Sequence, residues 1–272
     1  MVPFFFDTAN IDYLRKLWNE NLKGIIDPKL VRGITTNPNA FKKMNMYRLD
    51  EWTEHLPKLC EFISEIRGDN EGIVYVQEPR STMSRSEIYR FAEFIVKFND
   101  GNTKLGLKIP PYQEILQINK ELQKIMETNV TGVSDVCTAL FSASYGVNYV
   151  SVIPGRMEEV GIDAKANLAY LMGANLRGSE IISGSMRTIE GLKWVSELGT
   201  VPTIGERVWN EMYDTKYDFN ELNNINKIEV VLDKVFAPFK NEVSEKLSKE
   251  FFEQMDQCGN LCYEQYIKQL NN

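Results

Sequence analysis

Residues 72–111, GIVYVQEPRSTMSRSEIYRFAEFIVKFNDGNTKLGLKIPP, decide the fold because they carry one complete unit of strand, helix and strand. GIVYVQ and KLGLKI are short, mostly apolar runs of the kind that form buried strands. Between them, apolar residues recur every three or four positions, which predicts a helix that begins near a capping serine in RSTMSR. Two strands joined through a helix indicate a parallel sheet.

The same pattern recurs along the chain. Six further strand candidates, each followed by helical spacing, are VPFFFD (2–7), LVRGITT (30–36), TNVTGV (128–133), NYVSVI (148–153), EIISGS (180–185) and TVPTI (200–204). Eight such units in about two hundred residues predict a closed (β/α)₈ TIM barrel of the α/β class. An open doubly wound sheet is the competing arrangement, but no G-x-G-x-x-G motif follows the first strand.

Composition excludes several classes of protein. The chain has 272 residues, is 43% hydrophobic and carries a formal net charge of −7. An acidic chain argues against a general surface for nucleic acid or for an anionic membrane, so any anion site must be a local cluster. No run of about twenty apolar residues is present, and MVPFFFDTAN lacks a basic segment before its apolar residues. We therefore expect a soluble, cytoplasmic protein.

Cysteine and histidine are scarce. Cys60, Cys137, Cys258 and Cys262 are scattered, and His55 is the single histidine. A zinc site is not expected, and reduced thiols are typical of a cytosolic protein. His55 lies in a polar, helix-like segment, where we expect an exposed structural residue. Mechanisms that depend on a histidine beside a nucleophile fit poorly, so acid and base groups must be carboxylates, lysine, tyrosine or an ordered water.

Lys108 ends the fourth predicted strand, directly before Ile109 and two prolines. A buried ammonium group costs several kcal/mol unless it is paired or loses its proton. A neutral amine can attack a ketone, so burial of Lys108 would lower its pKa in the direction that this chemistry requires.

Polar residues close seven of the predicted strands, and in a parallel barrel these ends meet at one mouth, where active sites of this fold lie. A single strand that ends in a polar residue carries little information. Seven that end this way at the same mouth indicate a functional site. The candidate residues are Asp7, Thr35, Asn37, Gln77, Lys108, Thr131, Ser151, Arg156, Ser185 and Arg187.

Six motifs in these regions carry a family resemblance. FFFDTANI, GITTNPNAF, LKIPP, TNVT, YVSVIPGR and SGSMRT, in this order, resemble the transaldolase and fructose-6-phosphate aldolase family over roughly residues 3–212. The resemblance implies a class I, Schiff-base barrel that handles phosphorylated keto-sugars of the pentose phosphate pathway without metal or organic cofactor.

The resemblance also implies roles for individual residues. Lys108 would form an imine with the keto carbon, which lets the bond between carbons three and four break and leaves an enamine. Asp7 would be the base for the hydroxyl on carbon four, although an aspartate here could instead cap the following helix. Thr131 and Gln77 would hold an ordered water that carries protons.

Two positions separate the branches of the family, and they disagree. Transaldolases usually have glutamate where this chain has Gln77, whereas the aldolases have glutamine. The aldolases typically place a water-holding tyrosine at the position of Ile153, where transaldolases tend to have phenylalanine. Glu78 cannot simply replace the missing carboxylate because adjacent residues of a strand face opposite sides, unless a bulge intervenes.

The phosphate of the substrate needs local donors in an acidic protein. Arg156 and Arg187 follow strands six and seven, Ser185 lies beside them, and late loops of this fold are a favoured phosphate site. By the same resemblance, Asn37 and Ser151 would bind sugar hydroxyls, and we group Thr35 with these substrate-binding residues.

The chain changes character after Met212. We expect a barrel domain at residues 1–212 and a connector and helical tail at residues 213–272, with an apolar stripe at Val235, Phe239, Val243, Leu247, Phe251 and Met255. The stripe could cover its own barrel or dock on a neighbouring subunit. Small members of the family form rings of subunits, so we predict a homo-oligomer in which the tail contributes to the interface.

Together these observations predict a metal-independent transaldolase that transfers a three-carbon dihydroxyacetone unit between sugar phosphates. A fructose-6-phosphate aldolase that releases free dihydroxyacetone is the alternative enzyme. A barrel that binds sugar phosphates or a partner protein without catalysis is a third alternative.

Overall fold

Eight parallel strands close into a barrel in a computed structural model that describes residues 3–99, 101–174, 176–228 and 242–270. β1 pairs with β8, which closes the ring, and each strand otherwise pairs with its sequence neighbours. The strands are β1 Phe4–Asp7, β2 Val31–Thr35, β3 Gly72–Gln77, β4 Thr103–Ile109, β5 Thr128–Val133, β6 Tyr149–Val152, β7 Glu180–Ser183 and β8 Val201–Gly205. The prediction of eight strands in a (β/α)₈ barrel is confirmed.

Helices surround the barrel. They are α1 Ile11–Leu17, α2 Pro38–Lys43, α3 Leu49–Arg67, α4 Arg85–Ile95, α5 Gln113–Leu116, α6 Asn119–Leu122, α7 Val136–Ser144, α8 Pro154–Glu159, α9 Ala164–Gly173, α10 Ile189–Glu197, α11 Glu206–Asp214, α12 Asn220–Asn223 and α13 Glu242–Leu270. A π-helical turn, Trp18–Leu22, continues α1, and 3₁₀ turns lie at Pro28–Leu30 and Val96–Phe98. Ser84 caps α4 in a capping box with Glu87, as RSTMSR predicts.

The interior of the barrel is filled by an aromatic layer that supports the polar mouth. The rings of Phe5, Tyr75 and Tyr149 meet edge to face, with centroids 5.7 to 6.0 Å apart. Because side chains alternate along a strand, the residues two positions further on point into the same interior, one layer nearer the carboxyl ends. Those residues are Asp7, Gln77 and Ser151.

α13 lies across the carboxyl ends of the barrel of its own chain. At its beginning Ser248 donates to the carbonyl of Gly132 in β5 at 2.9 Å, and in its middle Asp256 accepts two hydrogen bonds from Ser81, after β3. Near its end Tyr266 donates to a backbone carbonyl of α4 at 3.0 Å. The helix therefore covers part of the mouth of its own barrel.

This placement bears on the expected role of the tail. Leu247, Phe251 and Met255 are buried against the barrel, Val243 is exposed, and Val235 and Phe239 lie outside the described residues. The buried part of the stripe is thus covered within one chain, which matches the first of the two alternatives. The reason for assigning that part to a subunit interface no longer holds.

The approach of α13 to the loop after β3 depends on Gly259. A Cβ atom at this position would lie 2.0 Å from the carbonyl oxygen of Pro79. We expect Gly259→Ala to lower the free energy of unfolding by about 1 to 3 kcal/mol, because the helix must shift. Alanine stabilises a helix relative to glycine by about 1 kcal/mol. A net loss of stability would therefore show that the clash with Pro79 outweighs this gain. Denaturant unfolding checks this, with exposed Gln257→Ala as the control; equal or higher stability of Gly259→Ala would contradict it.

The expectation that His55 is exposed is wrong. It lies in α3 as predicted, but it is 3% exposed rather than on the surface. Its Nε2 donates to the carbonyl of Ala9 at 2.6 Å, and burial lowers the pKa of the imidazole. The residue falls on the same helix face as buried Trp52 and Leu59, which pack inward and draw it with them. Its role is structural, as expected.

Candidate active site

A polar cavity of about 140 Å³ opens at the carboxyl end of the barrel. Half of the predicted site residues line it: Asp7, Asn37, Arg156, Ser185 and Arg187. The other half are buried in the strands and do not line it: Thr35, Gln77, Lys108, Thr131 and Ser151. All ten lie at the carboxyl ends of strands or in the loops and helices that directly follow them, so the predicted convergence is present.

Lys108 lies in β4 between two polar neighbours. It is 6% exposed, and its Cα pairs with Gln77 in β3 and with Asn129 in β5. Burial lowers the pKa of the amine, while the negative charges of Asp7 and Glu78 act in the opposite direction. The balance favours a larger neutral fraction than an exposed lysine has, and this is the state that can attack a carbonyl.

Asp7 presents its carboxylate to the cavity. Thr35 donates its hydroxyl to Oδ1 of Asp7 at 2.9 Å, which fixes the orientation of the group. The alternative role of Asp7 as a helix cap is wrong, because α1 is capped by Asn10, whose Oδ1 accepts from the backbone of Tyr13 at 3.0 Å. The carboxylate is therefore available for proton transfer.

Two buried amide groups beside Lys108 have unused hydrogen-bonding atoms. Oε1 of Gln77 and Nδ2 of Asn129 have no partner among the described residues. Oδ1 of Asn129 accepts from the hydroxyl of Ser151 at 2.8 Å. Buried polar atoms are normally satisfied, so these two atoms indicate the place of a ligand or an ordered water. Asn129 was not predicted, although alternation in TNVTGV puts it on the same face as Thr131.

Glu78 does not turn into the barrel. The β3 to β4 ladder continues without a bulge, with the backbone N–H of Glu78 donating to the carbonyl of Lys108 at 3.2 Å. Alternation then places its side chain on the opposite face from Gln77, as the sequence predicts. Both carboxyl oxygens lack partners among the described residues, and burial, assisted by Asp256, raises the pKa of Glu78 well above its ordinary value. Burial therefore favours the protonated form of this carboxyl group more than water would.

Arg156, in α8, and Arg187, in the loop after β7, both reach the cavity. Gly155 allows this approach, because a Cβ there would lie 2.0 Å from the carbonyl oxygen of Ser185. Nε of Arg187 lies 3.1 Å from a carboxyl oxygen of Glu159. Burial and then the charge of Arg187 lower the pKa of Arg156. Two like charges in a half-buried position gain from an anion between them, and phosphate matches the geometry of guanidinium groups.

Asn37 and Ile153 have defined surroundings. Oδ1 of Asn37 caps α2 by accepting from the backbone of Ala40 at 2.9 Å, so the residue would offer its amide N–H groups to a ligand. Ile153 is buried and has no polar side-chain atom for a water.

The cavity also has walls that sequence reasoning missed. They are Thr8, Asn39, Ala40, Lys43, Met186, Gly205, Glu206, Arg207, Phe251 and Met255. Most follow β1, β2 or β8 closely, so proximity to the motifs was a usable signal. No such signal pointed to Phe251 and Met255 of α13, because the sequence does not say which surface the tail covers.

In the part of the chain that the structure describes, no helix is both long and apolar enough to span a bilayer. Nor are three histidine, cysteine or acidic residues grouped there as a metal site would require.

Known proteins resemble this chain over most of its length. The family model for transaldolase/fructose-6-phosphate aldolase matches residues 4–257, which extends past the expected limit at Met212 into α13. A probable transaldolase 2 of Bacillus anthracis is 25% identical over 216 residues, covering 78% of this chain and 90% of the relative. A probable transaldolase of Streptococcus equi subsp. zooepidemicus is 28% identical over 226 residues, covering 81% and 94%.

A probable transaldolase of Methanococcus maripaludis is 29% identical over 215 residues, covering 74% of this chain and 86% of the relative. The family is one of enzymes. With the closed barrel and the strand-end residues above, the match over residues 4–257 means that this chain belongs to the transaldolase/fructose-6-phosphate aldolase family of enzymes.

Proposed function

We propose that this enzyme is a transaldolase that transfers a dihydroxyacetone unit between sugar phosphates through a Schiff base on Lys108. The observation that carries the proposal is a buried lysine amine, flanked by Gln77 and Asn129 and close to a cavity that contains Asp7 and two arginines. The relatives are named probable transaldolases, which favours the transferase over the aldolase.

The proposed mechanism assigns each step to a residue. The neutral amine of Lys108 attacks the keto carbon, and loss of water gives a protonated imine. Asp7 removes the proton from the hydroxyl on carbon four, the bond between carbons three and four breaks, and its electron pair moves to the imine to form an enamine. An aldose phosphate leaves, another binds, and the steps run in reverse. Gln77 and Thr131 hold the water that carries protons to and from the imine.

The aldolase differs in the fate of the enamine. There the enamine is protonated and hydrolysed, and free dihydroxyacetone leaves. Gln77 favours this alternative, because the aldolase branch has glutamine at that position. Ile153 opposes it, since an aliphatic side chain cannot hold the water that hydrolysis uses. A barrel without catalysis is disfavoured, because binding alone does not require a buried amine beside a carboxylate.

An assay with fructose 6-phosphate, run with and without erythrose 4-phosphate, tests the proposal. A coupled enzyme would follow release of glyceraldehyde 3-phosphate. We expect sustained release when erythrose 4-phosphate is present and little without it. Equal release without the acceptor would identify an aldolase, and no release in either case would identify a barrel that binds without catalysis.

The pH dependence follows from the buried amine. Because burial lowers the pKa of Lys108, the neutral form is present at a lower pH than for an exposed lysine. We expect kcat/KM to rise with pH, with a midpoint below 10.5, the ordinary pKa of the group. A pH profile of the free enzyme with fructose 6-phosphate measures this midpoint. A basic inflection at or above 10.5 would show that Lys108 is not the group that must lose a proton.

Localisation, assembly and the domain division stay predictions. We propose a cytoplasmic homo-oligomer, with the barrel at residues 1–212 and the tail at residues 213–272. Since α13 is packed on its own barrel, we now expect removal of residues after Met212 to expose the region around Lys108 as well as to affect assembly. Size-exclusion chromatography with light scattering gives the mass in solution, and a monomer would contradict the oligomer.

A further inference from the structure

The guanidinium group of Arg156 is held by two residues of α13. Nη2 of Arg156 donates to Oε1 of Gln254 at 2.9 Å. The carbon at the centre of the same guanidinium lies 5.0 Å from the ring centroid of Phe251, within the range of a cation–π contact. Gln254 follows Arg156 by 98 positions, and both α13 residues lie outside the motifs that carry the family resemblance.

These contacts counter forces that would turn Arg156 away. Arg187 repels it, and Nε of Arg156 is buried without a partner among the described residues. A free arginine side chain also has many rotamers, and fixing it at the moment of binding costs affinity. A guanidinium that is already held on one face and at one N–H does not incur that cost again.

We infer that Gln254 and Phe251 are positioning residues, which hold Arg156 ready for the phosphate of the sugar, so that α13 sets the affinity for the phosphorylated end of the substrate. The inference rests on the proposed function, in which Arg156 binds phosphate. Phe251 itself lines the cavity, so the contact is made at the wall of the site rather than at a distance from it.

Substitutions of Gln254 separate positioning from a structural role. Gln254→Ala removes the acceptor, and we expect KM for fructose 6-phosphate to rise about threefold to tenfold with kcat nearly unchanged. Gln254→Glu keeps an acceptor for Arg156 but adds a carboxylate that competes with phosphate, so we expect a larger rise in KM. A residue with a merely structural role would tolerate glutamate, because the contact to Arg156 would persist or strengthen.

Phe251→Leu tests the aromatic contact, because leucine retains apolar packing and lacks the ring face. Inorganic phosphate provides a second readout: as a competitive inhibitor, its inhibition constant should rise in parallel with KM in all three variants. Gln257→Ala is the matched control, since Gln257 is an exposed glutamine on the same helix, and it should leave both constants unchanged. Thermal melts establish that each variant is folded.

Arg156→Gln distinguishes failure of the inference from failure of the proposed function. If Arg156→Gln raises KM and the Gln254 variants do not, α13 does not position the arginine and the proposed function stands. If Arg156→Gln leaves KM and phosphate inhibition unchanged, the phosphate assignment is wrong and the inference falls with it. A larger rise in KM for Gln254→Glu than for Gln254→Ala, with Gln257→Ala unchanged, supports the inference.

Discussion

Lys108→Met should abolish turnover of fructose 6-phosphate, with a loss in kcat on the order of a thousandfold or more, as is usual when a covalent nucleophile is removed. Methionine has similar length and fills the same space without an amine. The imine cannot form, so carbon–carbon cleavage loses its electron sink. A steady-state assay with the erythrose 4-phosphate acceptor measures the loss.

Stability provides the check that the loss is chemical. Removing a buried amine should leave the free energy of unfolding of Lys108→Met equal to or higher than that of the parent enzyme. Lys104→Met is the matched control, because Lys104 lies on the same strand at the opposite end of the barrel and forms an exposed ion pair with Glu71. Retention of activity by a folded Lys108→Met variant would refute the Schiff-base mechanism.

Arg187→Ala should raise KM for fructose 6-phosphate about tenfold to a hundredfold, because one charged hydrogen-bonding partner is worth about 1.5 to 3 kcal/mol. Free dihydroxyacetone has no phosphate, so its KM should change little. Initial rates with each substrate give the comparison.

The contrast between fructose 6-phosphate and free dihydroxyacetone shows whether Arg187 binds the phosphate. Arg90→Ala removes an exposed arginine of α4 and serves as the control, which should match the parent enzyme on both substrates. Equal losses for Arg187→Ala on fructose 6-phosphate and on free dihydroxyacetone would mean that the arginine supports the site in general and does not bind phosphate.

The barrel could be predicted from the sequence because each strand is short, buried and flanked by polar turns. GIVYVQ and TNVTGV match β3 and β5 residue for residue. Once the strands are parallel and closed, their carboxyl ends must meet, so the ten site residues could be grouped before any geometry was known. Asp7 shows the limit of a local pattern. Its position also suits a helix cap, but two residues separate it from Asn10, which caps the helix instead.

What the sequence could not supply depends on contacts between distant segments. The apolar stripe of α13 shows that a face is buried, but many surfaces of a barrel could cover it. Gln254 is an ordinary exposed glutamine until α13 is placed beside Arg156. His55 was misjudged because charged neighbours dominate its local sequence, while the helix face it shares with Trp52 decides its burial.

The most direct test of the mechanism is reduction with borohydride in the presence of fructose 6-phosphate, followed by peptide mapping. Borohydride converts a protonated imine into a stable secondary amine, which fixes the sugar fragment to the lysine that formed it. A Schiff base on Lys108 predicts one modified peptide, labelled at that residue. Label on a different lysine, or no label under conditions of turnover, would contradict it.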